Sequence, residues 1–190
     1  MPVEKKITYF EKLGEENTEI TLKAARKRAE ELGVRDIVVA STRGDVGLKA
    51  AEYFKGYNVV VVAHSTGFRE PGKNEMPEDV QEKIRATGGK VLVTGHAFAG
   101  VSRAIARKFD TLGPAELAAN VLRLFGQGMK VVVEITYMAA DSGMIPVDRD
   151  VIAIAGSGRG ADTAVVIRPA HLNEMFDLYV REIITKPSTS

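Results

Sequence analysis

The chain contains no cysteine and no tryptophan. Without cysteine there is no disulfide framework, no thiolate metal site and no cysteine nucleophile. It also lacks any apolar stretch approaching the ~18 residues that a membrane span requires, so no membrane partner is expected. Charge of one sign is missing too: 26 Lys and Arg stand against 25 Asp and Glu, a net charge of +1. So even a balance supplies no electrostatic reason to expect nucleic acid as a partner. The segment Met1 to Tyr9 carries Lys5 and Lys6 but no apolar signal core. No export signal is therefore expected, and the chain reads as cytoplasmic.

What is present is an ordinary globular composition, 45% hydrophobic and 27% charged over 190 residues. We expect one domain spanning 1–190, large enough to bury on the order of 70% of its unfolded surface. Five times an apolar, mostly β-branched run ends in small polar residues. Ile37 to Ala40 leads into Ser41-Thr42-Arg43-Gly44, and Val59 to Ala63 leads into His64-Ser65-Thr66-Gly67. Val91 to Val93 leads into Thr94-Gly95-His96, and Val131 to Ile135 into Thr136-Tyr137. Val151 to Ala155 leads into Gly156-Ser157-Gly158-Arg159-Gly160. Continuous apolar runs of this length are the mark of strands buried on both faces. Ligands of open α/β sheets bind outside the carboxyl ends of the strands, where these polar clusters would gather.

Between the runs lie helical patterns. Ile20, Ala24, Ala25, Ala29 and Leu32 recur at helical spacing, with Gly33 as the stop. Further helices are expected from Asp45 to Phe54, from Pro77 to Ala86, from Ala97 to Phe109 and from Pro114 to Phe125. Residues 7–10 read as a first edge strand, 130–136 as a strand, and Ala139 to Arg149 as irregular. The runs 151–155 and 163–168 are too close together for a crossover helix, so they read as an antiparallel hairpin at the sheet edge. A last helix is expected from His171 to Thr185, followed by a frayed tail, Lys186 to Ser190.

Several motifs need weighing. Gly67 to Asn74 is one residue short of a phosphate-binding P-loop, but Asn74 replaces the magnesium-binding hydroxyl and Pro77 starts the helix too late. A surface loop is the better reading. Gly156 to Ala161 fits the dinucleotide fingerprint in letters, yet strand-like residues follow where that fingerprint needs a helix. A glycine-rich hairpin whose amides can approach an anion remains. Ser41 to Gly44 has the hydroxyls, arginine and helix start of a phosphate site. Ordinary helix capping explains the same residues equally well, and Asp45 favours it. His64 and His96 end parallel strands on one rim, where hydrogen bonding is their expected use. No third metal ligand matches them, and no metal is expected. His171 reads as a surface or capping residue. Ser65 beside His64 is not the Gly-x-Ser-x-Gly turn of hydrolases. Tyr137, Met138 and Phe98 could wall a planar ligand or simply fill the core.

The stretch Asp36 to Gly44, a helix ending in Tyr53, and Asn58 to Ala63 together resemble the core of the pyruvate kinase C-terminal domain. Gly143 to Ala155, Gly156 to Thr163 and Val165 to Ile167 resemble that domain's final strand, glycine loop and closing strand. The resemblance covers most of the chain, and it is closest to a stand-alone, mostly archaeal family. It implies a three-layer α/β/α sandwich, a mostly parallel sheet with one antiparallel strand. The catalytic barrel of the kinase is absent, so no phosphotransfer from phosphoenolpyruvate is implied. In many kinases this domain holds an allosteric sugar phosphate at the segments matching Ser41 to Gly44 and Gly156 to Gly160. Here Arg43 stands where the kinases usually have Ser or Thr.

The stand-alone relatives are associated with flavin mononucleotide (FMN), a phosphate and a planar ring in one ligand. The resemblance thus implies FMN or a related phosphorylated small molecule at the strand ends. Its expected contacts are Ser41, Thr42, Arg43, Gly44, His64, Ser65, Thr66, Gly67, Thr94, Gly95, His96, Gly156, Ser157 and Gly158. The hydroxyls of Ser41, Thr42, Ser65, Thr66 and Thr94 must then converge on one cleft. The competing expectation is a non-enzymatic sensor of a phosphorylated metabolite. The residues leave open whether any reaction is catalysed. A homodimer is expected from the way kinase C-terminal domains meet.

Overall fold

Four of the five apolar runs are strands, and the fifth is a helix. A computed structural model of the chain describes residues 2–189; Met1 and Ser190, the ends of the expected domain, lie outside the described residues. The chain runs β1 (Thr8–Phe10), α1 (Thr18–Leu32), β2 (Asp36–Ala40), α2 (Asp45–Tyr53), β3 (Asn58–Ala63), α3 (Glu78–Ala86) and β4 (Lys90–Val93). Then follow α4 (Val101–Phe109), α5 (Pro114–Arg123), α6 (Gln127–Asp141), β5 (Val151–Ala155), β6 (Thr163–Arg168) and β7 (Tyr179–Pro187). One sheet has the order β1-β7-β6-β5-β2-β3-β4. Among the described residues only β6 runs against the others, pairing antiparallel with β5 and β7.

Each central strand alternates its side chains between two cores. Ile37, Val39, Val59, Val61, Ile152 and Ile154 face α1, α2 and α3, joined there by Ala25, Ala29, Ala50 and Ile84. Val38, Val60, Val62, Ala153 and Val165 face the other way, against Val132, Ile135 and Ala139 of α6. Because both faces are covered, the strands read as unbroken apolar runs. The result is the expected three-layer α/β/α sandwich.

The strand expected at 130–136 is instead the middle of α6. This helix is buried almost all round, from Gly128 to Ala140 apart from half-buried Val131. A helix enclosed by sheet and neighbouring helices shows no solvent-exposed polar face, so the run Val131 to Ile135 cannot be told from a strand by periodicity. Length is the discriminator, at 15 residues from Gln127 to Asp141. The expected last helix is also overturned: only a short 3₁₀ segment, Leu172–Asp177, precedes β7. Val180, Ile183, Ile184 and Thr185 suit a strand. Bulges opposite Ala164–Val165 and Val166–Ile167 break the alternation that would have revealed it. With β7 in the sheet, the β5–β6 hairpin has β7 and β1 outside it. The tail expected to fray is paired through Ser188: Lys186 and Pro187 lie opposite Tyr9 and Phe10, and the Ser188 amide donates to Phe10 O at 2.9 Å.

Helix α6 reaches the sheet through glycine. A Cβ at Gly128 would stand 2.1 Å from Thr163 Oγ1 and 2.6 Å from Thr163 Cβ. Thr163 is buried and cannot swing away. Gly128→Ala is expected to cost about 1–3 kcal/mol by overpacking, read as a shifted midpoint in denaturant unfolding. An unchanged midpoint would show that α6 can lift from the sheet without cost.

Candidate functional site

The sheet grows rightward from β2 to β3 and β4, and the chain then returns to place β5 on the left of β2. That reversal opens a crevice at the carboxyl ends of β2 and β5. A cleft of about 570 Å³ lies there, lined by Ser41–Arg43, His64, His96 and Gly156–Gly160 from the strand ends. Helix α6 forms its wall with Gln127, Lys130, Val131, Glu134, Ile135 and Met138, a continuous helical stripe. A larger groove of about 1080 Å³ runs along β7 and the amino-terminal segment, but no histidine or glycine-rich turn enters it.

The expected contacts divide. Ser41, Thr42, Arg43, His64, His96, Gly156, Ser157 and Gly158 line the cleft, whereas Gly44, Ser65, Thr66, Gly67, Thr94 and Gly95 do not. The five hydroxyls therefore do not converge. Ser41 is spent locally, its buried Oγ accepting from the amides of Gly44 (3.1 Å) and Gly47 (3.0 Å). Asp45 Oδ1 accepts from the Val46 amide at 3.0 Å. Capping thus uses much of the α2 amino end, the bland alternative weighed for this turn. The glycine loop is held from inside, since the Ser157 amide donates to Asp162 Oδ2 at 3.0 Å. Gly156 is obligatory there: a Cβ would lie 2.2 Å from Gly160 O. Of the three candidate wall residues only Met138 reaches the cleft. Phe98 and Tyr137 pack edge to face in the core. The P-loop look-alike is a surface loop, with Lys73 paired to Glu70 at 2.6 Å.

Residues that the linear reading missed supply most of the charge. Arg69, Arg103, Arg123, Lys130 and Arg159 join Arg43, six cations against the carboxylates of Asp45, Glu75 and Glu134. Arg69 Nε pairs with Glu75 Oε1 at 3.1 Å, and Lys130 pairs with Glu134. Arg123 is held by Gln127 and Asn120. Arg43, Arg103 and Arg159 have no carboxylate partner among the described residues. Lys130 and Glu134 sit at i and i+4 on α6, a spacing that points both inward only once the segment is helical. That spacing was the available signal.

Two histidines face each other here, ring centroids 5.1 Å apart, each beside a carboxylate. His64 Nδ1 is 2.7 Å from Glu75 Oε2, and His64 Nε2 is 3.3 Å from Thr42 Oγ1. His96 Nδ1 is 3.6 Å from Glu134 Oε2, and its buried Nε2 has no partner among the described residues. The Phe68 ring stacks on His96 at 4.9 Å and lies 4.2 Å from His64, with Arg103 over it at 5.0 Å. Burial works to raise the Glu134 carboxyl, but His96, the Lys130 ammonium and the Phe98 amide outweigh it and hold it down to about 2. Burial likewise pulls the Lys130 ammonium below its usual range, with Glu134 opposing. Among the described residues no group of three or more histidines and carboxylates is placed to hold a metal ion, and no helix is long and apolar enough to cross a membrane.

The family model of the pyruvate kinase alpha/beta domain matches residues 19–167. The chain belongs to that family. Among solved structures, pyruvate kinase from Cryptosporidium parvum in complex with ADP is similar at 16% identity with a TM-score of 0.41. The match covers 80% of this chain and 23% of the kinase. A second structure of that organism's pyruvate kinase gives 16% identity, a TM-score of 0.41, and coverage of 80% and 22%. An O-ureido-L-serine synthase is similar at 18% identity and a TM-score of 0.31, over 73% of this chain and 51% of that one. This member of the pyruvate kinase alpha/beta family thus spans less than a quarter of the kinases it matches.

The buried pair makes this family member acid-sensitive in a defined window. A carboxyl held down to about 2 against an ordinary 4.5 contributes stability that is fully present above 4.5 and lost as pH falls toward 2. Glu134→Gln removes that dependence and leaves the Lys130 ammonium buried without its partner, at a cost of about 3–5 kcal/mol near neutral pH. Denaturant melts at stepped pH check both parts. Parallel acid profiles for the two proteins would refute the assignment.

Proposed function

We propose that the cleft binds a small phosphorylated ligand, its phosphate held by arginines rather than by the hydroxyl-rich turn. One observation carries this reading: Arg43, Arg103 and Arg159, from three separate segments, meet at one cleft without carboxylate partners among the described residues. Guanidinium groups pair bidentately with phosphate, and each such charged contact contributes about 1.5–3 kcal/mol. FMN is the flavin form of the proposal. Its phosphate suits the arginines, and the stacked Phe68 and His96 rings, with His64 tilted beside them, offer its planar ring a surface. Against it stands the failure of the five hydroxyls to converge, so FMN enters on charge and stacking alone.

A sensor of a sugar phosphate is the second reading. It is favoured by the meeting at this cleft of the β2–α2 turn and the glycine loop, the two segments that the family resemblance assigns to such a ligand. Absorption spectra of the purified protein with and without added FMN separate the two forms. Calorimetric titration with FMN and with glucose 6-phosphate then measures affinity. Arg43→Ala, Arg103→Ala and Arg159→Ala are each expected to weaken the bound ligand about tenfold or more. Binding unchanged in all three variants would overturn the proposal.

We also propose that the protein forms a homodimer through α4 and α5. No side chain of α4 is buried, and Val101, Phe109 and Leu124 are 76%, 65% and 82% exposed. Apolar residues gathered on one face mark an interaction surface. Light scattering should give a dimer mass, and Phe109→Glu with Leu124→Glu should reduce it to the monomer. A monomeric wild type would refute this.

A further inference from the structure

Thr42, His64 and Glu75 stand in the order hydroxyl, imidazole, carboxylate. Thr42 Oγ1 lies 3.3 Å from His64 Nε2, and His64 Nδ1 lies 2.7 Å from Glu75 Oε2. The carboxylate can only accept, so Nδ1 carries the ring proton and Nε2 is left to take the Thr42 proton. That is the tautomer a nucleophile–base pair needs, and hydroxyl, base and orienting acid are the recurring parts of such a site. The arrangement is supported from behind. Glu75 Oε1 is held by Arg69 at 3.1 Å, and Asn74 Nδ2 donates to His64 O at 2.9 Å while its Oδ1 accepts from the Met76 amide at 2.8 Å. The neighbouring Ser41 cannot substitute, because the backbone amides of Gly44 and Gly47 already occupy its oxygen. Thr42 has no such duty and lines the arginine-rich cleft.

We infer that the cleft hydrolyses phosphate monoesters, with Thr42 as nucleophile, His64 as general base and Glu75 as the residue that positions His64. The inference rests on the phosphate-binding reading above. Thr42 Oγ1 attacks phosphorus, forming a new P–O bond while the ester P–O bond breaks and its electron pair leaves on the alcohol oxygen. The Thr42 proton passes to His64 Nε2 and from there to the departing alkoxide. Water then attacks the phosphothreonine, giving a proton to His64 Nε2. The Thr42 O–P bond breaks, Thr42 recovers that proton, and inorganic phosphate is released. Arg43, Arg103 and Arg159 would neutralise the charge on the phosphoryl oxygens.

The test incubates the whole chain with p-nitrophenyl phosphate, follows nitrophenol release, and maps acid-quenched protein by mass spectrometry. Wild type is expected to release nitrophenol and to carry one phosphoryl group, on Thr42. Thr42→Val should lose both, and Thr42→Ser should keep both. His64→Gln should slow release by about 10²–10⁴-fold. Glu75→Gln should lower kcat per folded molecule, and Glu75→Asp, which keeps the carboxylate, should restore part of it, which a merely structural role would not do. Thermal melts identify any variant that does not fold, and His64→Gln carries the test if Thr42→Val fails. No release by wild type, or release unchanged in Thr42→Val or His64→Gln, overturns the inference. Calorimetry with inorganic phosphate separates the two readings: binding without turnover sinks the triad alone, and absence of both sinks the binding proposal as well.

Discussion

Helix α6 lies against the sheet at a distance that only glycine permits, and the cleft depends on that contact. Gly128 admits the Thr163 side chain where any Cβ would collide with it. The helix can then lay Val132 and Ala139 on the strands while the stripe from Gln127 through Lys130 and Glu134 to Met138 borders the crevice between β2 and β5. Move the helix outward and Lys130 and Glu134 leave the cleft. The packing of one apolar segment therefore sets the charge of the site.

That charge is organised in two ways. The Lys130–Glu134 pair is buried, so its attraction must offset the desolvation of both ions, and the Phe98 amide and His96 help to do so. Around it, arginines from α4 and from the β2–α2 and β5–β6 turns make no ion pair among the described residues. A cleft in a low-dielectric wall with surplus positive charge attracts anions more strongly than the near-neutral chain as a whole. Net charge says little about a site when opposite charges are sorted in space.

The sheet was largely legible. Ile37 to Ala40, Val59 to Ala63 and Val151 to Ala155 are buried on both faces, and such burial writes itself directly into a chain as an apolar run. The same signal misled at Val131 to Ile135, because a helix enclosed on all sides loses its polar face. That error concealed the site's wall, since Lys130, Glu134 and Met138 share one face at helical spacing and not at strand spacing. At β7 the register shifts hid the alternation. Of the site, the strand-end residues Thr42, His64, His96 and Ser157 were visible because the ends of parallel strands must share a rim. Glu75, Arg103 and Phe68 were not, because loops and a distant helix bring them there.

The sequence by itself determined the layered α/β class, the rim on which the polar clusters gather and the family resemblance, all consequences of local pattern. Tertiary structure alone decided which hydroxyls face the cleft, where the unpaired arginines meet, and that Thr42, His64 and Glu75 form one hydrogen-bonded line. Those depend on bringing together segments more than 100 residues apart, as with Arg43 and Arg159, which line one cleft. Such distances in space are set by packing and leave no periodic trace along the chain.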